Sequence, residues 1–219
     1  MCDWGVPNRP RRSILQRQTM KKIAVLVSNS GTGSNLIAIL GAIKSKKISA
    51  KICVVVSCEP DAPGIEVAKK NNIDTLVIEK NTDPTNRLAN EFGADLIILA
   101  GWKQFVTEKM LNIFENKILN IHPGLIPDTV DGSVELPDRS IGLWNRGKFT
   151  EKAIKNFLDK KSTYAGSTIH LLSKEFDFGP VLERCFIKIK PGDTVESLYP
   201  RLKVEENKSY IKAIVKLLN

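Results

Sequence analysis

From Met20 to His122 the chain alternates between two hydrophobic rhythms. Lys22 to Ser28 (KIAVLVS), Lys51 to Ser57, Asp74 to Ile78, Asp95 to Ala100 (DLIILA) and Lys117 to His122 (KILNIH) are near-continuous runs of strand length, rich in Val, Ile and Leu. Between them lie helical stretches. Ser34 to Ser45 places Leu36, Ile37, Leu40 and Ile43 on one face, and Pro63 to Asn71 opens with proline in the favoured first-turn position. Pro84 to Phe92 and Thr107 to Phe114 are shorter helical patterns. Strand runs without polar alternation need cover on both faces. The pattern therefore predicts an α/β class: a doubly wound, mostly parallel sheet with helices on both faces.

Beyond His122 the rhythm changes. Pro123 to Pro137 carries two Gly and three Pro with little periodicity and is expected to be loop. Arg139 to Lys160 is expected to be a helix broken at Gly142 and Gly147. Ser167 to Leu172 and Val181 to Ile189 alternate like antiparallel strands, so the sheet is expected to turn antiparallel toward its C-terminal part. A last helix is expected from Asp193 to Leu218, with Glu196 three residues on completing a capping pattern. No internal repeat and no linker divides the chain. Residues 20–219 are expected to form a single domain, and residues 1–19 a disordered or non-native extension ahead of Met20.

Composition narrows the class. Apolar residues make up 42% and charged residues 26%, with 14 Gly and 11 Pro, which excludes collagen-like and largely disordered chains. No apolar run approaches the ~18 residues of a spanning helix. Four cysteines (Cys2, Cys53, Cys58, Cys185) form no C-x-x-C pair and no group with histidine, so neither a zinc site nor a disulfide framework is expected. Reduced thiols and a cytoplasmic location follow as the expectation. Of the net charge of +9, Arg9, Arg11, Arg12 and Arg17 against Asp3 lie in the first nineteen residues, and the other lysines scatter over helix faces. That dispersal argues against a nucleic-acid partner.

Three segments carry candidate chemistry. Ser30-Gly31-Thr32-Gly33-Ser34-Asn35 joins the first strand to the first helix, at the carboxyl edge where an open α/β sheet binds ligands. It is no dinucleotide fingerprint, because Leu36 stands where the third glycine would be, and it lacks the Gly-Lys pair of a P-loop. A single-phosphate turn and a plain tight turn capped by Ser34 both remain open. In Asn120-Ile121-His122-Pro123 the strand period of two puts Asn120 and His122 on one face. With only His122 and His170 in the chain, imidazole chemistry rests on these two. Glu175-Phe176-Asp177-Phe178-Gly179-Pro180 is an acidic turn which local hydrogen bonding alone explains.

Taken in order, GTGSN, LAGW, LNIHPGLIP, GSTIHLL, FDFGP and the final helix resemble the folate-dependent formyltransferase family over residues 20 to 218. The resemblance implies formyl transfer from 10-formyltetrahydrofolate, without a metal, to the amine of glycinamide ribonucleotide in purine biosynthesis. By position it implies Asn120, His122 and Asp177 as the catalytic trio. Gly33, Ser34, Asn35, Glu206 and His170 fall at the ribonucleotide site, and Arg87, Lys103, Gln104, Phe105, Val106 and Asn120 at the formyl-folate site. Asn120 and His122 would donate to the oxyanion, while Asp177 holds His122 and assists removal of the amine proton. The implied partners are these two small molecules, with no nucleic acid or membrane, and the implied state is monomer or homodimer. A different phosphorylated amine, such as a nucleotide-linked amino sugar, and a non-catalytic nucleotide-binding module are the competing readings. Four departures mark this chain: Lys103-Gln104 where the family usually has Met-Arg, Gly124 for a usual Ser, Phe178 for a usual small residue, and a longer stretch from Asp128 to Tyr164.

Overall fold

The alternating rhythm folds as β1 (Lys21–Val27), α1 (Ser34–Lys44), β2 (Ala50–Ser57), α2 (Pro63–Lys70), β3 (Thr75–Val77), β4 (Leu96–Ala100), α3 (Glu108–Ile113) and β5 (Ile118–His122). After a long loop come α4 (Thr150–Asp159), β6 (Tyr164–Leu171), β7 (Val181–Lys188) and α5 (Val195–Leu218). The computed structural model describes residues 20–29 and 31–218; the expected extension over residues 1–19 and the Ser30 position of the Gly-rich turn lie outside the described residues.

All seven strands join one sheet in the order β3-β2-β1-β4-β5-β6-β7. Pairing is parallel from β3 to β5, and β6 runs antiparallel to both β5 and β7. The period of two assigns each strand residue to a face. Ile23, Val25 and Val27 of β1 pack beneath α1, α2 and α5, while Ala24 and Leu26 meet Ile97, Leu99, Ile118, Met110 of α3 and its C-cap Phe114 on the other side. Tyr210 of α5 is buried, and its hydroxyl donates to the Leu99 carbonyl at 2.9 Å, fixing α5 to the centre of the sheet. A smaller cluster of Ile154, Phe157, Leu198 and Leu202 seats α4 against α5. Because β2 and β4 leave β1 on opposite sides, the chain reverses direction at β1, and the carboxyl ends of β1, β4 and β5 share one edge.

Four local expectations are corrected. The pattern over 84–92 forms a short helix that is α-helical at Thr85 and Asn86 and π-helical over Arg87–Glu91, closed by the Phe92 N–H on the Arg87 carbonyl and ended by Gly93 at φ 60. Helix is absent from 139–149. Asn145 (φ 59) and Gly147 (φ 74) adopt left-handed backbone there, and Ile141 bridges Glu135 as antiparallel strand. The last helix starts at Val195 rather than Asp193, because Thr194 and Ser197 exchange the capping bonds: the Ser197 N–H to Thr194 Oγ1 and the Thr194 N–H to Ser197 Oγ. Ser34 does not cap α1 either. Gly33 holds the cap position in left-handed backbone (φ 73), and Ser34 is already helical.

Candidate active site

The β5 strand delivers two polar side chains to the sheet face opposite α5. Asn120 pairs across the strands with His170 of β6, and His122 with Thr168. Asn120 Nδ2 lies 3.2 Å from His170 Nε2, and His170 Nδ1 lies 3.1 Å from the Leu171 carbonyl. A carbonyl can only accept, so Nδ1 carries the His170 proton and Nε2 accepts from the Asn120 amide. That neutral form matches the environment. Burial, reinforced by the nearby His122, pushes the His170 pKa down to about 4.

His122 is 2% exposed and has an acceptor at each ring nitrogen. Nε2 meets the Trp144 carbonyl at 2.7 Å, and Nδ1 faces Asp177 Oδ1 at 3.7 Å, an ion-pair separation rather than a hydrogen bond. Asp177 sits in the turn between β6 and β7 at φ 49. Its Oδ2 accepts from the Gly147 N–H at 2.7 Å. Burial works against its charge, yet the facing His122 and the Gly147 N–H outweigh it and hold the carboxyl below the ordinary aspartate range. Thr168 secures the chain beyond His122: its hydroxyl donates to the Gly124 carbonyl at 2.7 Å and accepts from the Ile126 N–H at 2.9 Å. Asn120, His122, Asp177 and His170 thus converge from three segments.

The Gly-rich turn stands at the same edge. Ile37 is the first residue of α1 whose N–H finds a helical acceptor, the Gly33 carbonyl at 3.0 Å, so the N–H groups of Ser34, Asn35 and Leu36 have none within the helix. No acidic residue lies in that first turn. Asn35 is buried, and its Nδ2 has no hydrogen-bond partner among the described residues. The start of α1 thus gathers N–H donors without partners among the described residues.

Glu206 lies on the other side of the sheet. Its Oε1 accepts from Ser167 Oγ at 2.6 Å and its Oε2 pairs with Lys203 Nζ at 3.0 Å, within α5's contact with β6. Lys103 and Gln104 line a cavity of about 240 Å³ with Ser28, Asn29, Glu59 and Lys80, beyond the carboxyl ends of β1, β2 and β4. Gln104 and Phe105 line a second one of about 120 Å³. Phe105 is 91% exposed, while Val106 packs on the α3-side core. Arg87 lines neither cavity: its guanidinium is paired through Nε and Nη2 with Glu91, and it lies 5.9 Å from the Phe92 ring centroid. Trp144, Asn145 and Gly147 were not legible as site residues. The only signals were the unusual Gly124 and the lengthened stretch they belong to.

A family profile described as Formyl transferase matches residues 21–214. A phosphoribosylglycinamide formyltransferase of Dictyostelium discoideum is 35% identical over 218 residues, covering 90% of this chain and 97% of that protein. One of Haemophilus influenzae is 32% identical, covering 87% and 84%. The crystal structure of glycinamide ribonucleotide transformylase 1 from Symbiobacterium toebii superimposes with a TM-score of 0.74 at 33% identity, covering 89% of this chain and 86% of that one. The same sheet that carries Asn120 and His122 is thus shared nearly end to end, and the chain belongs to the formyl transferase family.

Proposed function

We propose that this chain transfers the formyl group of 10-formyltetrahydrofolate to the amine of glycinamide ribonucleotide, a step of purine biosynthesis. The observation that carries the reading is the convergence of Asn120, His122 and Asp177 on one face at the carboxyl edge, with both donors held on a rigid strand. The acceptor follows from the activities named for the relatives, and the unpartnered Asn35 amide at the start of α1 fits its phosphate.

Formyl-folate supplies a one-carbon carbonyl which an amine attacks, placing negative charge on the carbonyl oxygen and positive charge on the nitrogen. Asn120 and His122 are suited to the oxygen. The Asn120 amide has one N–H engaged by His170 and a second without a partner among the described residues, and His170, kept neutral, fixes which end of the amide points forward. The Nε2–H of His122 is the second donor, released from the Trp144 carbonyl when it turns to substrate. Asp177, ionised at neutral pH, orients His122 through Nδ1 and accepts, through water, the proton that the amine gives up. The other proton movement restores an N–H on the leaving nitrogen of the folate, so protons balance overall. Loss of one oxyanion donor costs about 3 kcal/mol of barrier, or roughly 10² in rate.

The test is transfer by the purified protein with both substrates, beside His122→Ala and Asp177→Asn. Turnover in the parent and a fall of roughly 10² or more in each variant is expected. A parent protein that releases no tetrahydrofolate in the presence of the ribonucleotide, or variants as active as the parent, would overturn the assignment.

A further inference from the structure

The segment 143–149 touches both ends of the His122–Asp177 pair. The Trp144 carbonyl accepts from His122 Nε2 at 2.7 Å, the Trp144 indole N–H donates to the Asp177 carbonyl at 3.1 Å, and the Gly147 N–H donates to Asp177 Oδ2 at 2.7 Å. Three anchors hold this strap. Asn145 is buried and donates to the Pro123 carbonyl at 3.1 Å and the Ala153 carbonyl at 3.3 Å, while its own Oδ1 accepts from Asn156 at 2.7 Å. Arg146 bonds the Phe176 carbonyl at 3.0 Å and pairs with Glu175. The Trp144 ring packs on Phe178, centroids 5.8 Å apart, with the Arg146 guanidinium 5.0 Å from its centre.

We infer that Trp144 is a positioning residue for the proposed reaction, clamping the turn that carries Asp177 so that its carboxylate faces His122 and the Gly147 N–H. The inference rests on the proposed function only for its kinetic consequences. The physical need for a clamp is the backbone of Asp177. At φ 49 Asp177 holds left-handed backbone, which costs a side-chain-bearing residue about 1 kcal/mol, so a bond that fixes the turn there keeps it from relaxing. The indole N–H is the one side-chain donor on the Asp177 carbonyl among the described residues. Phe178 supplies the surface on which the indole rests. The indole and Phe178 therefore act as one unit.

Without the indole N–H the turn relaxes toward ordinary backbone and carries the carboxylate away from its partners. The charged and titratable groups facing Asp177 are His122 from β5, His170 from β6, and Arg146 of the strap, itself paired with Glu175 on the turn. Relaxation weakens the favourable members of this set, so the carboxyl titrates at higher pH.

Trp144→Phe tests this, because it keeps an aromatic ring against Phe178 while removing the N–H together with part of the indole's area. In the full-length protein, the midpoint of the Asp177 side-chain carbon signal followed by NMR is expected to move up in pH, and kcat to fall about tenfold with KM for both substrates within about twofold. The melting temperature is expected to stay near the parent's. Arg146→Gln, on the exposed side of the strap, loosens the same clamp without touching the core and is expected to move the midpoint in the same direction by less. An unmoved Asp177 midpoint in both folded variants overturns the inference. Should the parent prove inactive on these substrates, the proposed reaction falls and the carboxyl midpoint alone decides the role of Trp144.

Discussion

Gly124→Ala probes how tightly the strap is set against the strand that carries His122. A Cβ at Gly124 would lie 1.8 Å from the Trp144 carbonyl oxygen, 2.6 Å from its carbon and 2.9 Å from the Asn145 Cβ. To restore ordinary contact near 3.4 Å, the Trp144 peptide has to retreat by roughly 1.6 Å. That backbone cannot swing away like a side-chain tip, because Asn145 fastens it to Pro123, Ala153 and Asn156. Overpacking of this kind costs about 1–3 kcal/mol of stability. The displacement also pulls the Gly147 N–H from Asp177, and misplacement on the order of 1 Å in a catalytic arrangement lowers the rate by as much as about 10². Urea unfolding and steady-state formyl transfer measure the two effects. Gly132→Ala is the control: its Cβ meets chiefly the rotatable Thr129 hydroxyl at 2.7 Å, so a small stability change and unchanged kcat are expected. A Gly124→Ala protein with parental stability and kcat within about twofold would refute the claim that packing at Gly124 sets the strap.

Two further outcomes follow from buried polar groups. His170 is held neutral with its pKa down at about 4 against an ordinary 6.5, so between these values the unfolded chain binds a proton that the folded one refuses. The contribution of neutral His170 is intact above about pH 6.5 and is lost as pH falls toward 4, a change of roughly 3 kcal/mol. Urea melts at pH 7.5 and pH 4.5 should show a smaller acid loss in His170→Asn than in the parent, and equal losses would contradict it. Asn35→Ala removes a buried amide nitrogen that has no partner among the described residues, so unfolding stability should hold or rise by about 1 kcal/mol. KM for the phosphorylated acceptor should meanwhile rise about tenfold; a destabilised protein with unchanged KM would show that the amide serves the fold and not the phosphate.

The parts of the site that were legible in the sequence are those governed by short-range periodicity. Runs such as KIAVLVS and DLIILA have one way to be covered on both faces, and their strands form within a residue or two of expectation. The period of two likewise put Asn120 and His122 on one face, where both are found. The strap escaped because nothing periodic specifies it. Asn145 and Gly147 take left-handed backbone, and Gly142 is a glycine because a Cβ would come 2.4 Å from Leu125 Cδ1, so an apparent broken helix was a chain laid across β5 and the 175–179 turn. Asp177 posed the same difficulty in milder form. Its sequence spells a self-sufficient turn, and only the approach of His122 and Trp144, 55 and 33 residues earlier in the chain, distinguishes it from one. Gly124 and Phe178 serve one residue of the strap, since Gly124 admits the Trp144 carbonyl and Phe178 seats its ring. Two positions that are far apart in the sequence thus accommodate one residue of the strap, which ties that segment to the arrangement around His122 and Asp177.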